Sequence, residues 1–171
     1  MKNAALILIG IFVLVSFYNP MAETKVGHVD SEYVFQKIPA YADAQAELED
    51  LAAQYKSEVE AKYKVVDSLY SVYQKEEVLL PQETKVKKQN EIITKENEAK
   101  ALQQSYFGRD GMLDQKREEV LKPIQDNVYN SLKELAEAGS YDYIFDKSTG
   151  ELLYTNDARD QSDALLKKLG Y

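Results

Sequence analysis

The residues able to do chemistry are few, and their scarcity narrows the function before any fold is considered. The chain of 171 residues carries one histidine, His28, and no cysteine. Thiolate metal sites, cysteine nucleophiles and disulfides are excluded, and most histidine relays go with them. His28 stands between Gly27 and Val29 in an extended apolar run, a setting for a packed, hydrogen-bonded imidazole rather than a lone ligand. Asp30, Asp142 and Asp146 flank extended segments, where caps and turn bonds use carboxylates without acid–base work. Asp157, Asp160 and Asp163 recur at three-residue intervals near the last helix. A calcium loop needs about five oxygen ligands at tighter spacing and a glycine at its sixth position, so helix capping is the reading here. No enzyme, cofactor or metal site is expected.

What the chain does have in quantity is tyrosine: 13, against 5 Phe and no Trp. A tyrosine ring is apolar while its hydroxyl tolerates water, which suits a half-wet contact surface. Lys+Arg 21 against Asp+Glu 29 gives a net charge of -8, with no broad electrostatic footprint for nucleic acid. At the amino terminus, Met1-Lys2-Asn3 precedes a run from Ala4 to Phe17 that is apolar apart from Ser16. Fourteen helical residues rise about 21 Å, short of the roughly 30 Å hydrocarbon core. Residues 1–22 therefore read as an export signal cleaved after Ala22, although Pro20 departs from the small-residue rule; a retained anchor is the alternative. The absence of cysteine rules out a lipoprotein anchor, and the expected location is the periplasm.

Positioning elements follow from the periodicity. Lys25 to Asp30 reads as a short strand; Asp30 or Ser31 caps a brief helix that Pro39 ends. Between Ala40 and Leu80 there is neither Pro nor Gly, and apolar residues from Tyr41 through Leu48, Tyr55, Tyr63 and Tyr70 to Tyr73 recur in steps of three and four. That is one helical stripe of about eleven turns. Consecutive four-residue steps at Tyr55, Val59 and Tyr63 form a stutter that interrupts left-handed supercoiling. Pro81 ends the helix, and a more polar one is expected from residues 82–84 to about Ala138, stopped by Gly139. Folding back at Pro81 sets Tyr106 beside Tyr55, Leu113 beside Leu48 and Pro123 opposite Pro39. The expected arm spans residues 40–122, about 60 Å long, with its tip near 81. Gly108 and Gly111 lie in the middle of the returning helix, where each costs about 1 kcal/mol; they and Pro123 are candidate hinges.

After Gly139 the apolar period shortens to two. Tyr141, Tyr143 and Phe145 share a strand face, residues 147–150 make a hairpin loop, and Glu151 to Thr155 is expected to return as a third strand. A last helix runs from Gln161 to Leu169. The fold class is α+β, mostly α. Its small β body, residues 23–39 and 123–171, has too few elements to bury a core alone, which implies self-association through Val26, Val29, Phe35, Tyr143, Phe145, Leu152 and Tyr154.

The arm's tyrosines have two readings. They fill the seam between two helices, or they form a contact surface. Near the tip the stripe widens beyond what the polar return segment from Val86 to Leu102 can cover, and uncovered apolar surface marks an interaction site. Candidate contact residues are Tyr55, Tyr63, Val66, Leu69, Tyr70, Tyr73, Ile92 and Tyr106, with Leu79, Leu80, Lys85, Lys87 and Lys88 at the tip.

Several segments together resemble the Skp/OmpH family of periplasmic chaperones: Lys25 to Asp30 with Val34-Phe35 and Ile38-Pro39, Lys122 to Asp126, Gly139 to Asp146, and Asp160 to Gly170. The resemblance spans essentially the whole chain after the signal. It implies a homotrimer in which three strands per chain build a shared β body and helical-hairpin arms enclose unfolded outer-membrane proteins without ATP. The best-known members are basic, whereas this chain is acidic. Apolar and tyrosine contacts are thus the expected source of affinity, with at most weak membrane-surface contact. The rival function is a coiled-coil adaptor of the cell envelope bound to a folded partner.

Overall fold

The computed structural model describes residues 24–171, so the expected signal and its cleavage site lie outside the described residues. Strand β1 (Val26–Val29) leads into α1 (Ser31–Gln36). Asp30 caps this helix by accepting a bond from the Tyr33 N–H at 2.9 Å. Ile38 is extended and Pro39 occupies the first turn of α2 (Pro39–Glu76), where a proline's missing N–H costs nothing. Helix α2 ends through a 3₁₀ turn, Glu77–Leu79, and an extended Leu80. Pro81 then turns the chain into α3 (Gln82–Phe107).

The returning helix is two helices. Gly108 and Gly111 are both extended, with ψ near 170°, and Asp110 between them adopts a left-handed φ of 58°. A compact turn, closed by the Gly111 N–H bonding to the Gly108 carbonyl at 2.9 Å, separates α3 from α4 (Met112–Gly139). Helix α4 passes through Pro123 unbroken. Pro123 and Glu119 face solvent, so water can satisfy the carbonyl that the proline leaves without a donor. Ser140, with φ of 51°, supplies the left-handed cap.

Strand β2 (Tyr143–Asp146) pairs parallel with β1, Val26 opposite Tyr143 and Val29 opposite Asp146. On β1's other side the Gln161 N–H bonds the His28 carbonyl at 2.8 Å. Gly27 permits this crowding, because a Cβ there would stand 2.9 Å from the Tyr141 ring. Residues 151–155, expected as a third strand, follow an irregular course. They find no ladder partner within one chain, and the Leu153 and Tyr154 side chains stand out in solvent. Helix α5 (Ser162–Leu169) closes the body.

Two cores result. Val29, Val34, Ile38, Val128, Leu165 and Leu166 fill the body. Ala44, Leu48 and Leu121 fill the base of the arm. Tyr41 and Ile124 pack against both clusters, so packing runs continuously past the level of Pro39 and Pro123.

Candidate functional site

The expected fold-back register holds along the arm. Tyr55 stacks on Tyr106 with ring centroids 3.9 Å apart and planes within 7°. The Gln89 amide donates to the Tyr73 hydroxyl at 2.7 Å. Tyr63 donates to Gln103 at 3.2 Å, and ion pairs join Glu76 to Lys88 at 3.0 Å and Glu47 to Lys116 at 2.9 Å. Tyr106 donates a short bond to the Glu58 carboxylate. That bond, with a second from Gln54, lowers the Glu58 carboxyl below its usual range and raises the Tyr106 hydroxyl above its own.

This geometry sorts the candidate contact residues. Tyr55 and Tyr73 lie at the centre of the stripe and are buried in the seam, which removes them from the available surface. Tyr63, Val66, Leu69, Ile92 and Tyr106 are half-buried along its edges, and Tyr70 is half exposed. At the tip Leu79 projects into solvent with Val78, while Leu80 is partly covered. Lys87 pairs with Glu83 and Lys88 with Glu76; Lys85 is partly covered. The sequence reading did not name as contact residues Phe107, which is exposed beside the break, nor Val86 and Ile93, which also face solvent. Their signal was available: Val86, Ile93 and Phe107 are spaced by multiples of seven and offset from the seam row of Ala99 and Tyr106.

In the body, Val29 and Phe35 belong to the chain's own core. Val26, Tyr143 and Phe145 form an exposed apolar patch, with Tyr143 stacked near Phe145 at 6.3 Å. Leu152 and Tyr154 line the same hollow as Val26 and Phe145. The far edge of β2 carries no partner strand among the described residues.

The polar cluster behind β1 is structural. His28 is buried, its Nε2 without a hydrogen bond and 3.6 Å from Asp160 Oδ2. Asp160 accepts bonds from Lys147 Nζ at 2.6 Å and from the Ser162 N–H at 2.8 Å and hydroxyl at 2.6 Å. Burial pushes its carboxyl up, but Lys147 and Ser162 outweigh burial and hold it at about 2. Asp146 is treated alike: burial raises its carboxyl, and bonds from Ser31 and Ser148 bring it below the usual range. The Ser162 hydroxyl also accepts the Asp30 N–H at 2.8 Å, so it caps and joins segments rather than facing a base. No helix among the described residues is long and apolar enough to cross a membrane.

Residues 25–169 match the family model described as outer membrane protein (OmpH-like). A crystal structure of an OmpH-like chain from Caulobacter crescentus CB15, described as a candidate outer membrane chaperone, superposes with a TM-score of 0.63. The two chains are 15% identical over 86% of this chain and 85% of that one, a likeness of fold. No curated protein matches the sequence. With a family match that runs from β1 to the end of α5, the chain belongs to the OmpH-like outer membrane protein family.

Proposed function

We propose that the protein is an ATP-independent periplasmic holdase that keeps unfolded outer-membrane proteins from aggregating. The observation that carries this reading is the distal arm's uncovered surface. Val65, Tyr70, Val72, Val86 and Ile93 are each more than two-fifths exposed, and Val78 and Leu79 at the tip are almost fully so. Two helices bury only the strip between them, and the remaining apolar flanks offer many weak contacts from which cargo can leave. The chaperone description of the Caulobacter relative points the same way.

In this reading residues 40–122 are the holding arm, and residues 23–39 and 123–171 are the assembly body. The open edge of β2, with Tyr143, Phe145, Leu152 and Tyr154 beside it, supports a homotrimer in which residues 151–155 find their strand partners on a neighbouring copy. The turn at Gly108–Gly111 is the arm's hinge, with Pro123 at its base. Export through a signal cut after Ala22 places the protein in the periplasm.

The test is aggregation of several unrelated barrel proteins diluted from urea. A holdase keeps them soluble at stoichiometric amounts without nucleotide, whereas an envelope adaptor for one folded partner leaves their aggregation unchanged. Light scattering separates the two.

A further inference from the structure

The turn between α3 and α4 answers two steric demands, and together they put one reactive dipeptide in the middle of the arm. Asp110 holds a left-handed φ of 58°, which aspartate tolerates better than most residues. At 111 the chain needs glycine, because a Cβ there would stand 2.8 Å from the Gly108 carbonyl oxygen and 2.9 Å from that of Tyr106. Asp110 is thereby the one aspartate in the chain followed by glycine, and no asparagine is so followed. Its side chain is 92% exposed, and Arg109, itself 96% exposed, lies 3.9 Å away, too far for a hydrogen bond to hold either group. Asp30 and Asp67, each followed by serine, are placed differently. Asp30 caps α1 through the Tyr33 N–H, and the Ser31 N–H is held by Asp146 at 3.1 Å. Asp67 lies inside α2, where the next N–H is committed to the helix ladder.

We propose that Asp110–Gly111 is a modification site at which the chain rewires its own backbone to isoaspartate. The Gly111 nitrogen attacks Cγ of the neutral Asp110 carboxyl; the N–C bond forms, and the carboxyl hydroxyl leaves as water with the amide proton. The resulting succinimide takes up water at the former main-chain carbonyl. That step breaks the old Asp110–Gly111 bond, routes the chain through Cγ and frees the α-carboxylate. No oxidant, reductant or cofactor enters, and the mass is unchanged. Glycine helps because it puts no side chain in the path of attack and lets the backbone swing toward the carboxyl. What holds the reaction back in the folded chain is the bond from the Gly111 N–H to the Gly108 carbonyl at 2.9 Å. It is one bond in an exposed turn between two helix ends, where local opening costs least. The rewired link is one carbon longer and displaces the Asp110 carbonyl that accepts the Gln115 amide at 2.8 Å. Gly111 then loses its close fit among the carbonyls of Ser105, Tyr106 and Gly108, and the arm loosens at mid-length. The freed carboxylate is the chemical group that S-adenosylmethionine-dependent isoaspartyl methyltransferases esterify, which gives the class of enzyme this site would meet.

The mature chain is held folded for weeks at neutral pH and physiological temperature. Cleavage after lysine then releases residues 101–116, and electron-transfer fragmentation locates β-linkages there and in the peptides carrying Asp30 and Asp67. Isoaspartate at 110 is expected to exceed that at 30 or 67 by about tenfold or more, equivalent to about 1.4 kcal/mol of easier opening. Asp114, in the same peptide but inside α4, serves as an internal control. In the Asp110→Gly chain, whose glycine takes a left-handed φ freely, the β-linkage is expected to vanish from this peptide. Unfolding in urea should raise the yield at 67 far more than at 110. A yield at 110 no greater than at 67, or a site silent when folded and reactive only in urea, overturns the proposal, because the turn would then protect the bond as a helix does. Labelled methyl transfer by an isoaspartyl methyltransferase gives an independent count; chains that carry the β-linkage and take no label overturn the assigned enzyme class. Amide exchange in aged chains should quicken at residues 102–115 and not in the body, and unchanged exchange there removes the loosening of the arm.

Discussion

The body and the distal arm are joined through α2 and α4 and differ in how many directions enclose each side chain. In the body, Val34 and Leu165 are sealed by neighbours from several elements and are less than 2% exposed. Beyond Gly111 the arm has only two helices, and of its side chains Ala99 alone is fully covered. Tyr55, Val59 and Tyr73 fill the line between the helices, while residues a step to either side stay half wet. Two cylinders in contact can hide one stripe. Whatever apolar surface the sequence places beside that stripe remains available, so stickiness in the arm follows from geometry, whereas the body's order follows from enclosure.

That contrast can be broken experimentally. Leu165→Ala leaves a cavity among Val29, Val34 and Val128 and is expected to cost the body about 3 kcal/mol, measured by chemical denaturation. If the distal arm then melts in the same step by amide exchange, the two regions are one cooperative unit and the contrast fails. Tyr55→Ala removes the ring stacked on Tyr106 and should lower protection around residues 55–60 and 102–112 by about 2 kcal/mol. The body's denaturation midpoint should not move; a matching fall in the body would again merge the regions. The smallest effect is acid sensitivity. With Asp160 held at about 2 when folded and near 3.8 when unfolded, its contribution is complete above pH 4 and lost between pH 4 and 2. Allowing for solvent screening, that is about 1–2 kcal/mol. The loss should show as a falling urea midpoint in the wild type that Asp160→Asn lacks, with helix content of the arm unaffected. An identical acid profile in the variant removes Asp160 as the cause.

Periodicity made the arm legible. Steps of three and four named the stripe, Pro81 located its turn, and the stripe's phase gave the register that pairs Tyr55 with Tyr106. It could not say how wide a strip the second helix covers, which is why Tyr55 and Tyr73 read as contact residues and proved buried. Gly108 and Gly111 stood out as costly in a helix, yet the full break depends on Asp110 taking a left-handed φ, which no local pattern required. Pro123 read as a hinge inside a helix expected to run on to about Ala138, and α4 does pass through it, with an exposed Glu119 whose carbonyl water can satisfy. The third strand is not formed within one chain for a different reason: alternation identifies residues suited to a ladder, and only a partner strand can make one.

The parallel pairing of Val26 with Tyr143 joins positions that the whole arm separates in sequence. Bringing such distant segments together from an open coil carries a large loop-closure entropy, and contacts of this kind form slowly. The Pro81 turn offers a cheaper route. Helix α2 can zip first with α3 and then with α4, each turn shortening the loop that remains, until Pro39 and Pro123 stand at one level and the two strands are already neighbours. The body is then the last part to close, and a chain truncated before residue 143 would own a finished rod with nothing to fasten its open end.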